Sequence, residues 1–320
     1  MGYGDYSAEA HQAMIAGRTA KPLSAVFAET TCHPELDPRG VKLRESKDSA
    51  AHPESIGIVL ALDVSGSMED IPHALATKTL PQLMTAALTV TPDPQVLFMA
   101  IGNAFADRSP LQVGQFESEA ALMDKWLSLL HIEAGGGGLC ESYDLAMYFA
   151  ARHIAMDGLE KRGKKGYFFL TGDEPPFLQL ESAQVEQILG ESIPAPIPIW
   201  ELTAELSTKF HVFVLIPDAA RAAREQTGDI WRVLLHERAI VMEASEDTAV
   251  VCALLIGITE GKLEDERALR GLLADRFART GEAADRVLRV VRPYTEALAK
   301  GPIAAPGQLH RRTTPSSLSG

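Results

Sequence analysis

Between positions 56 and 258 the chain repeats one pattern. A short run without polar residues leads to a polar or glycine-rich break, and then to a longer stretch with apolar residues every three or four positions. The first run, Ile56 to Leu62, ends at Asp63. Val96 to Gly102, Tyr167 to Leu170, His211 to Ile216 and the short Ala239 to Met242 continue the series. Runs of this kind suit strands buried on both faces of a parallel sheet. Leu111 to Phe116 alternates around Gly114 and reads as an edge strand. Helices are predicted over 71–90, with a kink at Pro81, over 118–131, over 142–156 and over 246–257. In the second of these, Leu122, Met123, Trp126, Leu129 and Leu130 share one face. Strands alternating with helices predict an α/β domain with a mostly parallel central sheet and helices on both faces.

The flanks read differently. Residues 1–55 form an N-terminal arm, with a short helix over 7–18 and one edge strand near Val41 to Arg44. Five prolines between 175 and 199 predict that this stretch is partly a long surface loop. Residues 261–300 read as a C-terminal extension of two amphipathic helices. From Gly301 the chain is rich in Pro, Arg, Ser and Thr, the composition of a disordered tail.

Hydrophobic residues make up 46% of the chain and charged residues 23%, as in an ordinary globular protein with a large core. The formal net charge of −13 disfavours nucleic acid and anionic membrane, because both rely on Lys and Arg meeting phosphate. The longest apolar run, Ala249 to Ile258, is about half of a membrane span. Cys32, Cys140 and Cys252 form no CxxC pair, so neither a zinc knuckle nor a disulfide framework is indicated. Reduced thiols predict a cytoplasmic protein. The first residues lack the basic and apolar regions of a signal peptide.

In an open α/β sheet, ligands bind outside the carboxyl ends of the strands. Three polar groups fall there: Asp63-Val-Ser65-Gly-Ser67 after one strand, Asp173 after another, and the loop from Gly135 to Ser142 before a helix. The first loop offers one carboxylate and two hydroxyls, with Gly66 allowing a sharp turn. Hard divalent cations take oxygen ligands of this type. The glycine run at 135–138 lacks the GK[ST] sequence and preceding strand of a phosphate-binding loop. A purely structural role for Ser65, Gly66 and Ser67, capping the following helix, leaves Asp63 and Asp173 unexplained. His33, His131, His153 and His236 have no partner at ligand spacing. Cys140 is a poor donor for a hard cation, and Glu174 reads as a solvated loop acid.

A hydrophobic strand followed by Asp63-x-Ser65-x-Ser67 resembles the metal-ion-dependent adhesion site of von Willebrand factor A domains. The resemblance covers about 56–260 and implies a three-layer Rossmann-like fold. It implies that Asp63, Ser65, Ser67 and Asp173 hold a divalent cation, Mg²⁺ first, with Mn²⁺ or Ca²⁺ as alternatives. The second family loop usually supplies a Thr. Here that position falls on Glu141, as in a GGG-x-x-x-E subset of the family, with Ser142 as a substitute. Three carboxylates would then meet one ion where the family site brings two. Such a site holds its metal tightly and grips an acidic partner residue weakly.

By the same resemblance the chain is a non-enzymatic protein-interaction module, an intracellular adaptor or assembly factor whose partner is an AAA+ ATPase or another protein. A magnesium-dependent phosphatase of haloacid-dehalogenase type is the alternative enzyme, since it too begins with a buried strand ending in Asp. That chemistry needs a second acid two residues on, where this chain has Ser65, whose hydroxyl cannot protonate a leaving alcohol. A structural protein with a degenerate, metal-free site is the third reading.

Overall fold

The computed structural model describes residues 6–66, 68–133, 140–217, 219 and 227–304. Its centre is a six-stranded sheet of β1 (Ile56–Asp63), β2 (Pro94–Ile101), β3 (Leu111–Val113), β4 (Gly166–Thr171), β5 (Phe210–Ile216) and β6 (Ala239–Val241). The order across the sheet is β6-β5-β4-β1-β2-β3. All pairs are parallel except β2 with β3. This is the doubly wound order, in which the chain starts at the centre, winds out to one edge, and returns to wind out to the other. The α/β expectation and the edge strand expected over 111–116 match the structure, in which that strand spans Leu111–Val113 and runs antiparallel.

The strands read as unbroken apolar runs because helices cover both faces. Ile58, Leu60 and Leu62 of β1 face one core layer, while Val59 and Ala61 face the other, the two-residue alternation of a strand. On the first face lie α2 (Leu80–Val90), α3 (Ala120–Ser128), α8 (Thr248–Thr259), α9 (Glu266–Phe277) and α10 (Gly281–Lys300). On the second lie α4 (Tyr143–His153), α5 (Ser182–Leu189), α6 (Ile199–Lys209) and α7 (Thr227–Leu235). The short N-terminal helix α1 (Ala8–Ala16) packs against α2 and α3. Phe169 stacks on Tyr167 and on Phe213 of β5, with ring centroids 6.0 and 5.4 Å apart. Phe169→Ala therefore lowers unfolding free energy by about 3–5 kcal/mol, through lost burial and an unfilled cavity. Denaturant unfolding checks this as a lower midpoint.

Both flanks share the central core. Val26, Phe27 and Leu36 from the N-terminal arm, and Leu273, Phe277, Val287, Val291 and Tyr294 from the C-terminal helices, are buried in the first layer. Asp247, just before α8, is 3% exposed and lies 3.0 Å from Arg279 and 2.7 Å from Arg286. That pairing pins the C-terminal helices to the sheet's helical layer. The arm's strand, Arg44–Ser46, pairs with Ile154–Met156 away from the main sheet.

Two local readings change. The predicted kinked helix over 71–90 is Asp70–Ala74, a π turn at Leu75–Thr79, and then α2. Pro81 sits in the first turn of α2, where a missing N–H costs little, and the wide turn before it absorbs the clash. The stretch 175–199 is loop only in part, and the rest takes a form the prolines did not indicate. It holds α5 and a small ribbon pairing Gln179–Leu180 with Ile197–Pro198. Proline density hid α5, whose start is marked by a capping box between Glu181 and Gln184. The tail beyond Ala304 lies outside the described residues.

Candidate metal centre

The strand order places its switch point between β1 and β4, where successive connections leave in opposite directions and open a crevice at the carboxyl ends. Asp63 is the last residue of β1, and Asp173 follows β4 by two residues. Glu141 and Ser142 immediately precede α4, whose first residue, Tyr143, bonds Asp63. A backbone bridge between Glu141 and Pro176 ties the loop before α4 to the loop after β4. Topology thus brings Asp63, Glu141 and Asp173 together from three distant parts of the chain.

All three side chains are buried, with exposures of 0%, 2% and 2%. Asp63 continues the second face of β1, and its Oδ1 accepts the Ser65 backbone N–H at 2.8 Å. Its Oδ2 accepts the Tyr143 hydroxyl at 2.6 Å. Burial pushes the Asp63 carboxyl up to about 6, against the lowering effect of the bonds from Ser65 and Tyr143. Glu141 is pushed up to about 8, by burial first and then by the negative charges of Asp63, Asp107, Glu174 and Asp173. Its Oε2 is buried and has no hydrogen-bond partner. A buried carboxylate oxygen left without a donor is costly, and a bound cation would satisfy it.

The donor set fits a hard divalent cation: three carboxylates and the Ser65 hydroxyl are all oxygen ligands. Among the described residues, no three His, Cys, Asp or Glu side chains converge at ligand spacing. Like charges in a dry site repel, and the Tyr143 hydroxyl holds one Asp63 oxygen. Closing around an ion therefore requires a side-chain adjustment. Ser67 and the glycines at 135–138 lie outside the described residues. Ser142 is already engaged, since its Oγ accepts the Ala104 N–H at 2.9 Å. It serves the loop after β2.

Several residues of this centre were not marked by the sequence reading. Glu174 is a correction: it is 7% exposed, and its carbonyl accepts the Trp231 indole N–H at 3.3 Å. The Trp231 ring packs beside Tyr143, and both side chains are fully buried. Asn103 spans two loops, donating from Nδ2 to the Cys140 carbonyl at 2.9 Å and accepting the Phe105 N–H at Oδ1. Tyr143 had no signal of its own, because its reach to Asp63 depends on where α4 starts. Gly172 offered a signal: a lone glycine between a strand end and an acid marks close approach of another group. A methyl added at Gly172 would lie 2.4 Å from the Tyr143 hydroxyl oxygen. Gly172→Ala therefore displaces Tyr143 from Asp63 and costs about 1–3 kcal/mol by overpacking. A lower thermal midpoint together with altered tyrosine absorbance would check it.

The remaining sequence candidates play structural parts. His131 bonds the Glu29 carbonyl at 2.9 Å and His153 meets Glu191 at 3.2 Å. The three cysteines are free, with Cys252 buried. Among the described residues, no helix is long and apolar enough to cross a membrane.

No protein-family model matches the chain, and no curated protein matches it. Among solved structures, it is similar to the pilus adhesin SpaC of Lactobacillus rhamnosus GG, at 14% identity and a TM-score of 0.44, over 68% of this chain and 31% of the adhesin. It is also similar to proximal thread matrix protein 1 of the mussel byssus, solved with a zinc-occupied MIDAS motif. That likeness has 9% identity and a TM-score of 0.39, over 63% of this chain and 47% of the byssus protein. The chain thus spans less than half the length of either protein. Likeness at this level assigns no family, and the reading of the centre rests on the strand order and on the acids gathered at its switch point.

Proposed function

We propose that this chain is a divalent-cation-binding protein-interaction module, with Asp63, Ser65, Glu141 and Asp173, and Ser67 by its place in the motif, as the ion's ligands. The observation that carries the reading is the buried Glu141 side chain, with one oxygen lacking a donor, within electrostatic reach of Asp63 and Asp173. Bound there, the ion would supply positive charge and open positions for a partner's oxygen. The chain's own part is to hold the acids at the rim of a rigid sheet. Asp63 is fixed by Ser65 and Tyr143, and the loop of Glu141 is fixed by Asn103 and Pro176. Mg²⁺ is the cation proposed for the cell, given all-oxygen ligands.

The proposal extends to a non-enzymatic, intracellular role as an adaptor or assembly factor, with an AAA+ ATPase as one class of partner. Ser65 at the position where a phosphatase of the alternative type needs its acid favours binding over catalysis.

The test is isothermal titration of EDTA-stripped protein with Mg²⁺, Mn²⁺ and Ca²⁺. Saturable binding of one ion per chain is expected for at least one of them. No heat at millimolar concentration of any of the three would sink the proposal.

A further inference from the structure

Three neighbouring parallel strands, β4, β5 and β6, start from the end of the sheet opposite the acidic crevice, and each brings a basic side chain there. Lys165 immediately precedes β4, His211 is the second residue of β5, and Arg238 immediately precedes β6. The three side chains line one hollow of about 120 Å³, shared with Ser207, Phe210 and Ile303. Strand order, not nearness along the chain, gathers them.

Lys165 and Arg238 are half-buried, and among the described residues neither forms an ion pair. Their partners are neutral. Lys165 Nζ donates to the Ser207 carbonyl at 2.7 Å, and Arg238 donates to the carbonyls of Ile303 and Ala304 at 3.4 and 3.1 Å. Glu260, the acid that acts on His211, already answers Lys164 at 3.4 Å and accepts the Tyr167 hydroxyl at 2.7 Å. Glu237 acts on Arg238 from an exposed position. No acid acts on Lys165, which burial and then repulsion from Arg238 lower below the ordinary lysine range. Burial, Lys165 and Arg238 together push His211 down to about 4. Carbonyl oxygens carry partial charge only, so these cations repel one another until an anion joins them.

We propose that this hollow binds a phosphate group, free or carried on a small molecule, with Lys165, Arg238 and His211 as its donors. Arg238 keeps N–H groups beyond its two carbonyl bonds, and a guanidinium grips two oxygens of an oxyanion side by side. Lys165 keeps two of its three donors. A neutral imidazole offers one N–H, and the His211 ring makes no hydrogen bond among the described residues. A tetrahedral anion turns oxygens toward all three strands, which a planar carboxylate does not. The hollow has room for about four waters at ~30 Å³ each, enough for the phosphate itself. The chain's net charge of −13 repels anions at long range, so binding depends on these three donors and not on a general attraction.

The test is calorimetric titration of the full chain, in EDTA and low chloride, with inorganic phosphate and separately with glycerol 3-phosphate. One saturable site per chain is expected for at least one of them, with Kd below about 1 mM. Lys165→Met and Arg238→Lys should each weaken it about tenfold or more, since a lone ammonium does not replace a bidentate guanidinium. Phosphate also stabilises proteins by exclusion from any surface, so saturation and dependence on these variants decide. Equal affinity for the two ligands shows that the free group suffices, and a tenfold preference for the ester assigns a phosphorylated small molecule; either supports the proposal. No saturable heat with either ligand at about five times that Kd limit, or unchanged affinity in Lys165→Met, would overturn it. Should Lys165→Met fail to fold, two-dimensional amide NMR of the wild type gives the answer. Phosphate is expected to shift the signals of Lys165, His211 and Arg238, and shifts confined to other residues sink the proposal.

Discussion

Asp63→Asn is expected to abolish the cation-dependent rise in thermal midpoint while leaving the metal-free protein at least as stable as the wild type at pH 7.5. A ligand that binds only the folded state stabilises it by mass action, about 2.7 kcal/mol at a hundred times Kd. For a chain of this size that is roughly 4 °C. Asn keeps the shape of the side chain and an oxygen for the Ser65 N–H, which reaches Asp63 at 2.8 Å. It removes the charge that draws the ion. Asp63 is fully buried, with its carboxyl pushed up to about 6, so at pH 7.5 the empty crevice bears the cost of its ionisation. The neutral amide relieves that cost. Differential scanning fluorimetry of both proteins, with EDTA and then with Mg²⁺ or Mn²⁺, decides the matter. A rise of equal size in the variant would remove Asp63 from the ligand set.

The second large effect is in pH. Burial, and then its acidic neighbours, raise Glu141 from 4.5 to about 8, and burial raises Asp63 from 3.8 to about 6. The folded, metal-free chain therefore holds protons that the unfolded chain has already lost. The resulting stability is fully present below about pH 4 and is lost as pH rises, through 6 for Asp63 and through 8 for Glu141. Cation binding runs the opposite way, because the ion must displace those protons. Affinity should rise about tenfold per pH unit for each proton displaced, two protons below pH 6 and one between pH 6 and 8. Titration of Mn²⁺ in two buffers of different ionisation enthalpy would read the released protons directly. Glu141→Gln should flatten the profile above pH 6, raise the metal-free midpoint at pH 8 and weaken metal binding. If affinity is the same at pH 6 and pH 8, Glu141 does not ligate the ion.

Much of this molecule was legible in the linear chain. The unbroken run from Ile56 to Leu62 is short for a helix and suits a strand covered on both sides, because no face of it tolerates water. Alternation with helical stretches then leads to a parallel α/β sheet, since parallel neighbours require crossovers. Asp63 and Asp173 stood out for the same reason: each is an acid placed directly where an apolar strand ends.

Only the tertiary structure decided what surrounds them. Whether Glu174 faces water or the core depends on the turn after β4 and on where the Trp231 indole lies. Tyr143 reaches Asp63 across 80 positions of sequence, a contact that no local pattern encodes. The edge-on pairing of Phe105 with Phe177 exists because the loops after β2 and β4 flank β1 in the sheet order, although the two rings come from opposite sides of the chain's central helix α4. Periodicity records which residues avoid water and at what spacing. Convergence of distant side chains on one point is set by strand order and loop packing, and that information resides in contacts between segments rather than within any one of them.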